Sequence, residues 1–215
     1  MLERITRREL IDLFIAWLGI TIAFTLIRFP LTFIGKVDPS YFLYIFVLSC
    51  LTVGIGFIFH EMAHKFTAMK YGYEAEFKKD NVMILMALVL AALVQVVFAA
   101  PGATVIRGGR MSEEQEGKIS AAGPFVNLIL CIPFGIMVLI PFFVTGYSKT
   151  LLEIGVMGLQ INAMIAAFNL LPISILDGKK VLRWSPAIFI VMIAISFVIL
   201  FVSLTMVPSY ISSIF

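Results

Sequence analysis

Six apolar stretches, each about 18 residues or longer, dominate this 215-residue sequence. A run of this length can cross the hydrocarbon core of a bilayer as a helix. Charged residues make up only 13% of the chain, about half the share typical of soluble domains. The sequence therefore predicts an all-α, polytopic integral membrane protein. The stretches are Leu13–Ile34, Tyr41–Phe59, Val82–Ala100, Ile119–Val144, Leu151–Leu171 and Pro186–Val207.

The remaining composition excludes several other classes of protein. The net charge is only +3 and no basic stripe is interleaved with aromatic residues, so we expect no nucleic-acid partner. Cys50 and Cys131 lie inside apolar stretches, where cysteine behaves as a small hydrophobe. No clear cleavage site follows the first stretch, which predicts a retained span rather than a signal peptide. We expect one membrane-embedded domain over residues 1–215, with its core at about 41–183.

The distribution of lysine and arginine predicts which stretches cross the membrane, because these residues concentrate on the cytoplasmic side. If all six cross from a cytoplasmic N-terminus, the two sides carry eight and seven basic residues. If Val82–Ala100 instead returns to the side it entered, the inside carries thirteen and the outside two, Lys36 and Lys149, with Arg28 uncounted inside the first stretch. The run Ala99-Ala100-Pro101-Gly102-Ala103 would break a helix and predicts a turn.

We therefore predict five full transmembrane helices plus one re-entrant or interfacial segment, in a multi-pass protein of the cell membrane. The N-terminus is expected in the cytoplasm and the C-terminus outside. Non-helical backbone at membrane depth must be covered by protein or line a wet cavity, so the re-entrant segment should pack onto the other helices.

The sequence His60-Glu61-Met62-Ala63-His64, at the end of the second stretch, is an HExxH motif. On a helix, His60 and His64 lie one turn apart on the same face and can bind one zinc ion. Glu61 flanks them and can accept a proton from water at the metal. The alternative is that both histidines are satisfied core residues and that Glu61 pairs with Lys65. We favour the metal site because ionisable residues inside membranes are rare and usually functional.

A catalytic zinc ion needs a third protein ligand, and the chain has no other histidine. Asp177 is the best candidate, because Pro172 ends or kinks the fifth stretch just before it. A cap or turn role before Gly178 fits the local sequence equally well. The re-entrant topology favours the ligand role, since it puts Asp177 and the motif at the same cytoplasmic side. His60 is about 15 Å of helix from Lys70, so the metal should lie below the cytoplasmic surface.

Taken together, several motifs over about Gly54 to Gly178 resemble the site-2 protease family of intramembrane metalloproteases. The HExxH motif is similar to the family's zinc motif. Three further elements also match in order and spacing: Pro101-Gly102-Ala103, Ala122-Gly123-Pro124-Phe125-Val126-Asn127, and Asn169-Leu170-Leu171-Pro172 followed by Leu176-Asp177-Gly178.

The resemblance implies His60, His64 and Asp177 as zinc ligands and Glu61 as the catalytic base. It also implies Asn169 and Asn127 as substrate-binding residues. Members of the family cut transmembrane segments of membrane-anchored substrates, so the expected partners are such a protein and the lipid bilayer. The active site is expected to open to the cytoplasm.

Two other functions fit the same residues. One is a transporter or channel with a non-catalytic metal or proton site, since broken helices and intramembrane charges suit that class. The other is a membrane zinc protease of another family with a glutamate as third ligand. Glu153, however, is expected at the external end of its span. The cluster Glu113, Glu114 and Glu116 is more typical of a helix start, with Ser112 and Gln115 forming a capping box.

Overall fold

The computed structural model describes residues 5–29, 37–97, 101–144, 146–173 and 176–214, and in these ranges the chain forms seven α-helices and one two-stranded sheet. Five helices are long and apolar enough to cross a membrane, which confirms the predicted helical, polytopic class. The elements are α1 (Arg7–Leu26), α2 (Pro39–Lys70), β1 (Glu74–Lys79), α3 (Asn81–Val94), β2 (Gly102–Arg107), α4 (Glu113–Leu139), α5 (Lys149–Asn169), α6 (Asp177–Trp184) and α7 (Pro186–Ile214).

Local signals in the sequence set where the long helices begin. Asp38 caps α2 by accepting from the backbone N–H of Ser40, and Pro39 occupies the first turn, where its missing N–H costs nothing. At α4 the predicted capping box is confirmed: the Ser112 hydroxyl accepts from the backbone of Gln115, whose side chain accepts from the Ser112 backbone. The helix of the first predicted stretch ends at Leu26, and the part of that prediction from residue 30 onwards lies outside the described residues.

The two ends of the third apolar stretch lie next to each other. β1 and β2 pair antiparallel from Glu74 with Arg107 to Lys79 with Gly102, so the sheet joins the two ends of the segment between them. The backbone N–H of Asp80 also donates to the carbonyl of Pro101 at 2.8 Å. Because its two ends meet, the segment returns to the side from which it starts, as predicted for a re-entrant or interfacial segment, with residues 98–100 outside the described part.

Helix α3, within this third stretch, packs on α1. Such packing is expected for a segment whose ends are not helical, because non-helical backbone at membrane depth must be covered by protein or line a cavity. Ile84 on α3 lies against Gly19 of α1, where a side chain would clash with it. Ala87 and Ala91 are fully buried in the same contact. The sheet itself was not predicted, and the predicted turn is wrong for Gly102 and Ala103, which are the first residues of β2.

Polar side chains face the interior of the molecule, whereas many large apolar side chains face outwards. The interior holds several polar side chains that have no exposed surface and donate to carbonyls within the protein, among them Thr25, Asn127, Asn162 and Ser196. The outer faces of α3, α4 and α7 expose large apolar residues, among them Leu85, Leu93, Ile132, Ile136, Phe197 and Phe201. This arrangement matches a protein whose surroundings are lipid, because polar groups in a bilayer must find partners within the protein.

Lys65, one turn beyond Glu61 on α2, forms a buried ion pair with Glu9 of α1. The other carboxylate oxygen of Glu9 accepts from the backbone N–H of Phe77 on β1 at 3.0 Å. Both members of the pair are buried within the protein, at 1% and 0% exposure. The pair therefore joins α1, the motif helix and the sheet.

Removing one member of this pair should destabilise the fold strongly. Glu9→Met leaves the Lys65 ammonium buried without the Glu9 carboxylate. We expect the free energy of unfolding, measured in detergent, to fall by about 3–5 kcal/mol. The double variant Glu9→Met, Lys65→Met should recover much of that loss, because two apolar side chains of similar volume replace both charges. Lys118→Met, which removes an exposed pair with Glu114, is the control and should change stability little. Equal losses in the single and double variants would contradict this account.

Candidate metal centre and active site

α2 and α6 bring three potential ligand atoms to one point. The Nε2 atoms of His60 and His64 are 3.0 Å apart. Oδ2 of Asp177, the first residue of α6, lies 3.6 Å and 3.1 Å from them. Zinc bonds of about 2.0–2.1 Å in a tetrahedron would separate ligands by about 3.3 Å, within this range. Among the described residues, His60, His64 and Asp177 thus form a group of three side chains that could hold a metal ion.

The outer nitrogen of each imidazole is occupied by another partner. Nδ1 of His64 donates to the backbone carbonyl of Ile119 at 2.8 Å, and Nδ1 of His60 lies 2.6 Å from Oδ1 of Asn127. A carbonyl can only accept, so Nδ1 of His64 carries a hydrogen, and in the neutral ring the lone pair is on Nε2. Two imidazole lone pairs and a carboxylate oxygen facing one point need a cation between them. Two histidines, one carboxylate and an open position form the donor set of catalytic zinc, and zinc is the cofactor.

Gly123 of α4 leaves the space that the metal needs. A Cβ atom built there would collide with Nε2 of His64 and would lie 2.7 Å from Cε1 of His60. Any side chain at this position would therefore occupy the metal-facing side of both rings. Helix α4 can therefore pack against the metal-binding side chains only because position 123 has no side chain.

The position of Asp177 depends on the turn that precedes it. α5 ends at Asn169, and after the turn α6 begins at Asp177, which is its first residue. Residues 174 and 175 lie outside the described part. Gly178 lies directly against the backbone of Leu170, where a Cβ atom could not fit. Asp177 thereby brings Oδ2 within 3.6 Å and 3.1 Å of the two imidazole nitrogens, and a carboxylate binds a metal in its charged form.

Glu61 lies beside the ligands in the same cavity, which has a volume of about 110 Å³. Thr104 of β2 donates from its hydroxyl to Oε2 of Glu61 at 2.9 Å and approaches the Glu61 carbonyl at 3.3 Å. The carboxylate is thus fixed by the sheet, next to the point where the ligands converge. Asn169 and Lys180 also border the cavity.

Two known proteins that are similar to this chain carry the name of a putative zinc metalloprotease. The chain is 38% identical over 186 residues to the Methanocaldococcus jannaschii protein "Putative zinc metalloprotease MJ0611", covering 86% of this chain and 89% of that protein. It is 26% identical over 145 residues to the Bacillus subtilis protein "Putative zinc metalloprotease YwhC", covering 62% of this chain and 66% of that protein. The chain belongs to this zinc metalloprotease family. No family model and no solved structure matches it.

The structure gathers the predicted site residues of the metalloprotease into one region, with different surroundings for the two asparagines. Asn169 borders the cavity and donates from its amide to the carbonyl of Ile165 at 2.9 Å. Asn127 has no exposed surface and contacts His60, so contact with a substrate would require it to move. A substrate-binding role for either stays a prediction. Glu153, the alternative third ligand, instead accepts a hydrogen bond from Tyr44.

Sequence reasoning missed three features of the site: Thr104, the carbonyl of Ile119 and the space left by Gly123. Gly123 was part of a recognised motif, but only the structure gives the physical reason for a glycine there. A polar residue two positions after Pro101-Gly102 gives no sign that it will reach Glu61. The Ile119 carbonyl is a backbone group and has no signal in the sequence.

Gly123→Ala should remove zinc from the metalloprotease without unfolding it. Its methyl group would enter the space that the metal needs, so we expect zinc content, measured by elemental analysis of purified protein, to fall from about one ion per chain towards zero, the content also expected for His60→Ala.

Gly135→Ala is the matched control for Gly123→Ala, because it lies on the same helix and its new methyl group would meet its nearest neighbour only at 4.0 Å. It should retain zinc. Full zinc content in Gly123→Ala would show that the metal lies elsewhere.

Proposed function

We propose that this metalloprotease is an intramembrane endopeptidase that cleaves transmembrane segments of membrane-anchored proteins, as in regulated intramembrane proteolysis. The position of the ligands carries the proposal. His60 is ten residues from the end of α2 at Lys70, which is about 15 Å of helix and half of a 30 Å hydrocarbon core. A peptide bond cleaved there would itself lie within the membrane. The motif resemblance to site-2 proteases supports the same assignment.

The residues around the metal can divide the work of peptide hydrolysis. When bound, zinc supplies Lewis acidity, which lowers the pKa of water to about 7. Glu61 accepts the proton of the attacking water and returns it to the amine that leaves. Thr104 keeps the Glu61 carboxylate aimed into the cavity while this proton moves. Asn169, at the cavity edge, is placed to bind substrate or to donate to the oxygen that gains charge.

The cavity also offers a way to hold a transmembrane substrate in an extended form. A peptide bond inside a helix is occupied by the helix's own hydrogen bonds, so the substrate must unwind before cleavage. β2 lines the central cavity, and adjoining cavities follow it towards Lys79 at one end and Ile106 at the other. Within the described residues, β2 pairs only with β1 and leaves its second edge available. An unwound segment could replace its lost hydrogen bonds by pairing with that edge.

The orientation that we propose puts the N-terminus, the sheet and the cavity opening on the cytoplasmic side of the cell membrane. It rests on the thirteen-to-two distribution of basic residues and on the re-entrant segment that this distribution required. In this orientation Lys149, at the start of α5, is external, and Asp177 follows the opposite end of the same helix.

Glu61→Gln tests the catalytic part of the proposal. It keeps the shape of the side chain and the contact with Thr104 but removes the base, so cleavage of a single-span substrate should fall by about 10²–10⁴-fold or more. The measurement is product formation by purified protein in lipid, with zinc content determined on the same samples and expected to stay unchanged. The control is Glu153→Gln, which changes the half-buried partner of Tyr44 outside the cavity lining and should retain activity. Cleavage by Glu61→Gln near that of the wild type would contradict the role of Glu61 as the base, whereas no cleavage by the zinc-loaded wild type would favour the transporter function.

Cysteine labelling tests the orientation separately. Gly109→Cys lies in the loop after β2, where a side chain meets nothing within 4 Å, and Ser148→Cys lies before α5. In a background without Cys50 and Cys131, an impermeant thiol reagent applied to intact cells should label only Ser148→Cys. Both should react in permeabilised cells. Labelling of Gly109→Cys in intact cells would reverse the proposed orientation.

A further inference from the structure

We infer that Asn162 on α5 is a positioning residue for the zinc ligand His60, acting through Asn127. Asn162 does not touch the metal ligands. It forms the far end of a buried hydrogen-bond chain that crosses from α5 through α4 to α2. The inference rests on the zinc site alone and does not depend on which substrate is cleaved.

This hydrogen-bond chain consists of four contacts, and neither of its two asparagines has any exposed surface. The amide nitrogen of Asn162 donates to the carbonyl of Gly158 at 2.8 Å. The amide nitrogen of Asn127 donates to Oδ1 of Asn162 at 2.9 Å and to the carbonyl of Gly56 at 3.0 Å. Oδ1 of Asn127 then faces Nδ1 of His60 at 2.6 Å.

The direction of this chain is fixed by its ends. The carbonyls of Gly158 and Gly56 can only accept, so each asparagine must turn its NH₂ group towards a carbonyl. Asn162 is then left with its oxygen facing Asn127, and Asn127 with its oxygen facing His60. Reversing either amide would set two donors or two acceptors against each other in a buried site, which is costly.

This direction determines which nitrogen of His60 can bind zinc. An oxygen at Asn127 requires a hydrogen on Nδ1 of His60, and the lone pair is therefore on Nε2, the atom that faces His64 and Asp177. If Asn162 were apolar, the NH₂ group of Asn127 would keep only the Gly56 carbonyl as its acceptor, and the oxygen of Asn127 would be held less firmly against Nδ1 of His60. The tautomer that binds zinc through Nε2 would then be less strongly favoured.

The packing around Gly56 also supports the positioning role of Asn162. A Cβ atom at Gly56 would lie 3.1 Å from Oδ1 of Asn162, so a larger residue there would crowd the amide. Gly56 is also one helical turn before His60 on α2. The chain is therefore anchored on the same helix that carries the ligand it orients.

Two replacements at position 162 separate orientation from general stability. Asn162→Leu removes both the acceptor and the donor, and zinc affinity, measured by competition with a chelator, should fall about tenfold, within the range seen when outer partners of metal ligands are lost. Asn162→Asp keeps an oxygen facing Asn127 in either protonation state, so zinc affinity should stay within about twofold of the wild type. Thr52→Val, which removes a buried hydroxyl bond to Leu48 elsewhere on α2, is the control and should leave zinc affinity unchanged.

Nitrogen NMR of ¹⁵N-histidine-labelled, zinc-loaded protein reads the tautomers directly, because His60 and His64 are the chain's two histidines. Wild type should show zinc on Nε2 and hydrogen on Nδ1 of both rings. Asn162→Leu should alter the Nδ1–H signal of His60 and leave that of His64, which is held by a backbone carbonyl, unchanged.

Zinc bound through Nδ1 of His60 in the wild type would overturn the inference, and this measurement needs no variant. Unchanged affinity and an unchanged His60 signal in Asn162→Leu would overturn it equally. Proteolytic activity enters none of these measurements, so failure of the proposed protease function would be seen separately.

Discussion

The structure depends on holding a divalent cation and its ligands inside an apolar environment. A charged group transferred into hydrocarbon loses its hydration, and every polar atom near it must find a partner in the protein. The metal centre meets this requirement by surrounding each ligand with fixed acceptors or donors: Asn127 and the Ile119 carbonyl for the two imidazoles, and Thr104 for the neighbouring Glu61. The placement of polar residues in the interior and apolar residues outside follows from the same requirement.

The sheet solves a related problem in the backbone. Backbone that is not helical is tolerated at membrane depth only when its groups are paired or line a cavity. β1 and β2 pair with each other, and the buried Glu9 carboxylate accepts from the N–H of Phe77 as well as pairing with Lys65. The same sheet then presents Thr104 to Glu61. One short hairpin therefore closes the re-entrant segment and fixes the base.

The sequence singled out the three side chains that the structure brings together, because the chemistry of these residues conflicts with their apolar surroundings. His60, Glu61 and His64 are conspicuous in an apolar stretch, and the basic residues indicated the topology that lets Asp177 reach them. The strands were missed because Glu74–Lys79 is short and rich in charge, so its lysines were counted as a cytoplasmic loop. The pairing of Lys65 with Glu9 joins residues 56 positions apart, and local spacing carries no information about such a contact. Asn162, by contrast, could have been found, since it is a polar residue in the middle of an apolar stretch.

The two histidines are held by partners of different kinds, and this difference affects how the site can change. His64 donates to a backbone carbonyl of α4, which remains whatever side chain occupies position 119. His60 depends on Asn127, whose orientation depends in turn on a second side chain, Asn162, and on the absence of one at Gly56. Substitutions can therefore loosen the hold on His60 without disturbing His64. Because both rings and Asp177 must meet at one point, a substitution that changes the hold on His60 changes the geometry of the whole metal centre.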